Sequence, residues 1–275
     1  MSLRDRIGID LGRKIRLEEG IEWAAANGVR YIDIQLDTAA NALTTFDDRR
    51  AAGVRAACEK RGVHLGLHTL SAVNVAEYSP HVSEAVDAYL KSYVDIYGKL
   101  GAKWIVMHAG YHFSKDKPLR MQAGLERLKR IADYAEKKGA RILLENLNKE
   151  PEEAEVHYLA HTLEEWRYYW ELLSSPAMRL SFTVNHANLV PEGIDAFISA
   201  LDMNQVGEVR LADCHRNGYE VHLKPGAGDI DFGEVFRRIE EKGFKGHYTN
   251  AFGSLDDMLA GRDYLATRAR EAGVG

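Results

Sequence analysis

KGARILLENLN, residues 138–148, holds the plan of the chain in one short segment. A Lys-Gly ends one element, a short aliphatic run follows, and the run breaks abruptly into a carboxylate and two asparagines. Upstream, Leu125, Leu128, Ile131, Ala132 and Ala135 recur at helical spacing, so one face of a helix over 124–136 is apolar. Glycine just past a helix is the usual left-handed cap, because it tolerates positive φ. The segment therefore reads as helix, glycine turn and buried strand, with polar groups where the strand ends.

The same unit repeats outward. Its turns read NGVRY (27–31), RGVHL (61–65), LGAKW (100–104) and KGFKG (242–246). Leu17, Ile21 and Ala24 or Ala25 mark another helix face. The strands are RIGIDL (6–11), YIDIQLD (31–37), HLGLHTL (64–70), WIVMHAG (104–110), RILLENL (141–147), RLSFTV (179–184), GEVRLAD (207–213) and GHYTNAF (246–252). Each is short and aliphatic, as buried parallel strands are. Eight strands alternating with helices predict an α/β fold, a single (β/α)8 TIM barrel, rather than a doubly wound sheet. No GxGxxG follows the first strand, so no nucleotide cofactor is expected. No linker or composition break interrupts the chain, and residues 1–275 read as one domain.

Composition narrows the class. Apolar residues at 45% and charged residues at 28% suit a soluble protein with a sizeable core. The formal net charge of −5 and the lack of a basic stripe argue against a nucleic-acid partner. No apolar run approaches a membrane span. Cys58 and Cys214 are too few for a secreted scaffold and read as reduced, buried thiols of a cytoplasmic protein. KEPEEAE at 149–155 reads as a solvated loop or helix start.

In a barrel of this kind, chemistry gathers where strands end. Here those ends carry Gln35 and Asp37, His68, His108, Glu145 with Asn146 and Asn148, Thr183 with Asn185, His186 and Asn188, Arg210 with Asp213, His215 and Arg216, and Asn250. Residues two apart share a strand face, so Arg141, Leu143 and Glu145 point one way, as do Trp104, Val106 and His108. A lone histidine is more often a structural group. His68, His108, His186, His215, His222 and His247 all fall at or near strand ends or the following loops, and such convergence suits a divalent metal or an acid–base pair. Glu145 is the sharpest single candidate, since a carboxylate after Leu143 and Leu144 is costly unless paired or bound to a cation. Its bland alternative is an ion pair with Arg210 or Arg216. The loop HLKPGAGDIDFGEVF (222–236) reads equally as an amide cradle for a phosphate or sugar hydroxyl, or as a plain turn.

The stretches LHTLS (67–71), MHAGY (107–111), LLENLN (143–148), TVNHANL (183–189), VRLADCHRNG (209–218) and HLKPGAGDIDF (222–232) resemble the xylose-isomerase-like TIM barrels. That group includes sugar-phosphate isomerases/epimerases and bacterial AP endonucleases. The resemblance implies one divalent metal (Mn, Zn or Mg) held by Glu, Asp, His and Glu from strands 5 to 8. Those positions fall on Glu145, Thr183, Arg210 and Asn250, so three of the four ligands are replaced. The endonuclease branch implies an outer metal on His68, His108 and Glu145, and another set on His186, Glu220 and His222. The sugar branch implies substrate contacts at His186 and Arg216, and related barrels form homo-oligomers.

The resulting expectation is an enzyme acting on a small sugar-like substrate. Glu145 and His186 are its catalytic candidates. His68, His108, Arg210, Arg216, Asn250 and His222 are its substrate-binding candidates. Proton abstraction next to a carbonyl serves an isomerase or epimerase, with Arg210 as a fixed charge in place of a metal. The same enolate chemistry serves a lyase or dehydratase. A third reading is a sugar-binding barrel without catalysis.

Overall fold

A computed structural model describes residues 2–113, 115–216 and 218–275. Eight parallel strands close into a barrel in chain order. They are β1 (Ile7–Gly12), β2 (Tyr31–Ile34), β3 (His64–His68), β4 (Trp104–Met107), β5 (Ile142–Glu145), β6 (Met178–Thr183), β7 (Val206–Leu211) and β8 (His247–Asn250). Closure is set by Ile9 of β1 pairing with both Ile32 of β2 and Asn250 of β8. The (β/α)8 barrel expected from the eight aliphatic runs is the fold observed.

Helices fill the gaps where the apolar periodicity placed them. In Lys117–Lys138 the buried residues include Leu125, Leu128, Ile131, Ala132 and Ala135, and Gly139 ends the helix at φ 67°. In Leu17–Ala26 they are Leu17, Gly20, Ile21 and Ala24. These faces pack on the outside of the sheet and form the main core.

Several strands stop earlier than their aliphatic runs. β5 ends at Glu145 because Asn146 takes over the edge bonding: its Oδ1 accepts from Thr183 N at 2.7 Å and its Nδ2 donates to Thr183 O at 3.0 Å. The released residues form the mouth. Two short segments, Tyr111–His112 and His157–Tyr158, pair antiparallel above it. Their two-residue length gives no periodic signal in the sequence.

The lumen is less aliphatic than is usual for such barrels. Trp104, Val106 and Leu143 make a small apolar cluster with Tyr31 toward the strand starts. Above it lies a layer of charge, Asp33, Glu208 and Arg210, each no more than 3% exposed. The cavity sits above that layer.

Candidate active site

Strand parity explains which side chains meet. Tyr31 and Asp33 share the lumen face of β2, Leu143 and Glu145 that of β5, and Glu208 and Arg210 that of β7. Arg210 lies within 4 Å of four carboxylates. Its Nη1 donates to Asp33 and, at 3.3 Å, to Glu208; its Nη2 donates to Asp10 at 3.1 Å; its Nε stands 3.8 Å from Glu145 Oε1. Glu208 also accepts from Ser181 at 2.8 Å and Thr249 at 2.6 Å. A register shift between Asp10 and Gly12 re-aims β1, and Gly12 N donates to Asp10 Oδ1 at 2.6 Å, which holds Asp10 on the guanidinium.

Glu145 stands at the centre of the mouth. Thr183 Oγ1 donates to its Oε1. On the other oxygen, Oε2, His108 Nε2 converges at 3.2 Å and His68 Nε2 at 3.4 Å, while the two ring nitrogens lie 3.1 Å apart. Burial opposes charge on Glu145, but His108, His68 and Arg210 outweigh it and hold the carboxyl well below its usual range. His68 is the counterpart. Burial and Arg210 push its pKa down, yet Asp33 and Glu145 overcome them and raise it to about 10. Burial keeps the neighbouring His108 low despite Glu145. Two adjacent imidazoles are thus driven apart, one protonated and one neutral, a pattern typical of acid–base sites.

A second cluster flanks the first. His186 Nδ1 donates to Asn146 O at 2.8 Å, and its Nε2 faces Glu220 Oε1 at 3.3 Å. His222 Nε2 meets that same oxygen at 2.7 Å, with its Nδ1 on Ala251 O at 2.7 Å. Burial opposes protonation of His186, but Glu220 raises its pKa.

Together these groups line a cavity of about 260 Å³ that includes His68, His108, Glu145, His186, Arg210 and His222. Six of the eight expected site residues are therefore brought together. Asn250 is not. It points to the helix side of β8, where its Nδ2 donates to Met258 O at 2.8 Å. Thr249 faces the lumen instead, and Ala251 reaches the cavity wall. Arg216 is also outside: it is exposed, and its guanidinium donates to Pro191 O at 3.2 Å. His247 lies at the start of β8, at the opposite pole, and His215 is exposed. Asp37 accepts from the hydroxyls of Tyr89 and Tyr93, both at 2.8 Å, and is a structural group.

The glycine-rich loop resolves as a turn. Its amides are spent on Asp213, whose oxygens accept from Gly226 N at 2.8 Å and Ile230 N at 3.2 Å. A Cβ on Gly228 would stand 2.3 Å from Asp213 Oδ1, so only glycine lets the loop wrap this carboxylate. Cys58 and Cys214 are buried and free, and burial raises both thiols to about 11. Three site carboxylates went unremarked in the sequence: Asp10, Asp33 and Glu208. The available signal was the one that marked Glu145, a carboxylate inside an aliphatic strand.

The model of the xylose isomerase-like TIM barrel family matches residues 21–266. The chain belongs to this family. An uncharacterized protein of Methanocaldococcus jannaschii is 25% identical over 208 residues, 74% of this chain and 69% of that protein. Among solved structures, a D-tagatose 3-epimerase-like protein superposes with a TM-score of 0.80 at 20% identity, covering 98% of each chain. A D-psicose 3-epimerase with D-fructose gives 0.80 at 17%, covering 98% of this chain and 100% of its own. The 3-keto-D-glucoside 4-epimerase of E. coli gives 0.76 at 16%, covering 96% and 99%.

The family's central metal quartet does not fit this chain. Arg210 puts a guanidinium where a ligand is required, Asn250 faces the wrong way, and the Thr183 hydroxyl is used by Glu145. The flanking trios fit better. In each of His68–His108–Glu145 and His186–Glu220–His222, the ligand atoms lie within 4.8 Å of one another. The first trio's mutual spacings of 3.1 to 3.4 Å are close to the tetrahedral edge of about 3.3 Å expected for zinc bound at roughly 2.0–2.1 Å. Three such atoms cannot all satisfy one another with hydrogen bonds.

Proposed function

We propose that the chain is a sugar isomerase/epimerase-type enzyme that moves a proton on the carbon next to the carbonyl of a small polyhydroxy keto or aldo substrate. One observation carries the reading: an ionised Glu145 and an imidazolium-prone His186, with Nδ1 of His186 4.0 Å from Oε1 of Glu145, face one small polar cavity. Glu145 takes the proton, and His186, raised by Glu220, returns one. Arg210 and the protonated His68 stabilise the enolate that forms between these steps. Solvent then takes the proton from Glu145 and returns one to His186, which restores both groups, while His108 at 3.2 Å keeps the Glu145 carboxylate ionised. His222 and the asparagines of the mouth orient hydroxyls.

Arg210 supplies a fixed positive charge where the family pattern has a central metal. A divalent ion, if taken up, would be held by His68, His108 and Glu145 or by His186, Glu220 and His222. Bound there it would polarise a substrate oxygen. The absence of a second mouth carboxylate on β8 is compensated by His186.

The test is a panel of ketoses and aldoses incubated with the protein in D₂O and followed by NMR. The proposal expects deuterium at the carbon next to the carbonyl, together with an isomer or epimer. Loss of water from the sugar would assign the enolate to a lyase instead. Binding of a sugar without exchange would assign the barrel to recognition alone.

A further inference from the structure

A second cavity, of about 360 Å³, opens at the other pole of the barrel, where the strands begin. Its aromatic wall is built by Tyr31, which stacks on His64 at 4.8 Å and on His247 at 4.7 Å, with Trp104 packed on His247 at 4.1 Å. Lys103, Arg141, Arg179 and Lys245 also line it. Lys103 and Arg141 immediately precede β4 and β5, Arg179 lies in β6, and Lys245 stands just before β8, so the closed sheet itself gathers these cations.

Two features separate this group from an ordinary charged surface. No carboxylate among the described residues lines the cavity. Among the described residues, none of the four cations forms an ion pair, and Arg179 donates only to the carbonyls of Pro176 and Met178. Some surface cations elsewhere are paired, as Arg4, Arg61, Arg237 and Arg238 are with Asp263, Glu22, Glu234 and Asp195; what sets this group apart is that four cations without an ion pair line one concavity. Unpaired like charges packed around one concavity repel each other unless an anion is shared between them. Burial pushes the His64 pKa down, and the charges that act on it, Lys103, His247 and Arg30, push the same way. In a chain with a formal net charge of −5, such a gathering of positive charge is local.

We infer that this basic cavity is a binding site for a small polyanion, one carrying phosphate groups or several carboxylates, separate from the mouth of the barrel. At about 360 Å³, the pit at the strand starts takes a compact ligand rather than an extended polymer. The aromatic wall gives a flat or apolar part of that ligand a surface to rest on. The inference is independent of the reaction proposed at the mouth.

The test is calorimetric titration of the full chain with pyrophosphate at low and high salt. Saturable one-to-one binding is expected, and Arg141→Glu with Lys245→Glu should weaken it on the order of tenfold or more. His222→Ala, at the mouth, should leave it unchanged. Should the charge-reversed protein fail to fold, Arg141→Gln with Lys245→Gln should still weaken binding and reduce its salt dependence. Competition by citrate distinguishes polycarboxylate from phosphate recognition, and either result supports the site. The inference fails if pyrophosphate does not saturate, if binding survives the double variants, or if a short oligonucleotide displaces pyrophosphate at equal phosphate concentration.

Discussion

The Nε of Arg210 stands 3.8 Å from Oε1 of Glu145, and the same guanidinium bonds to Asp10, Asp33 and Glu208. An arginine in the middle of a barrel is thereby balanced by acids on three other strands and one on its own. The bland and the functional readings of Glu145 are both realised in part: it is near an arginine, yet it also faces two histidines and the open cavity.

Arg210→Met leaves several buried carboxylates without their cation. Removing one partner of a buried pair typically costs about 3–5 kcal/mol. We expect a loss of that order at pH 7 by chemical denaturation. Burial alone would raise Glu208, but Arg210 and His247 hold it at about 2. A depressed carboxyl contributes stability above its unfolded pKa and loses it as pH falls through the folded value. The gap between wild type and Arg210→Met should therefore narrow below about pH 4. A gap that widens toward low pH would contradict the role given to Arg210.

The family's metal quartet can be rebuilt as a check on strand parity. Thr183→Asp, Arg210→His and Ala251→Glu together should create Mn²⁺ affinity measurable by calorimetry. The same triple with Asn250→Glu in place of Ala251→Glu should not, because that side chain faces Met258 across the helix interface. Equal binding by both triples would mean that the lumen-facing position on β8 has been misassigned.

The flanking trios make a stoichiometric prediction. Zn²⁺ titration of wild type should fill two sites, and either His108→Ala or His222→Ala should remove one of them. Unchanged stoichiometry in both variants would show that the trios are hydrogen-bonded clusters and not ligand sets.

The barrel was legible because burial imposes a strong pattern: aliphatic runs, glycine caps and helix faces all repeat. The mouth was legible where a polar residue broke an aliphatic run, as at Glu145, His68 and His108. Asp10, Asp33 and Glu208 broke such runs as well, but each is followed directly by another aliphatic residue, Leu11, Ile34 and Val209, so the run does not end there. Asn250 was misplaced because a short motif match does not register the two-residue period of a strand. Arg216 and His215 follow β7 so closely that only the course of the loop shows them leaving the cavity. In the 222–236 loop, spacing alone could not show that Asp213 already occupies the amides.

Deuterium exchange in wild type and Glu145→Gln, on a sugar that the wild type labels, tests the central claim most directly. Losing a positioned base typically costs 10²–10⁴-fold. The account predicts a fall in exchange of roughly that order, with binding of the sugar retained by calorimetry. Exchange by Glu145→Gln within a few-fold of wild type would contradict it.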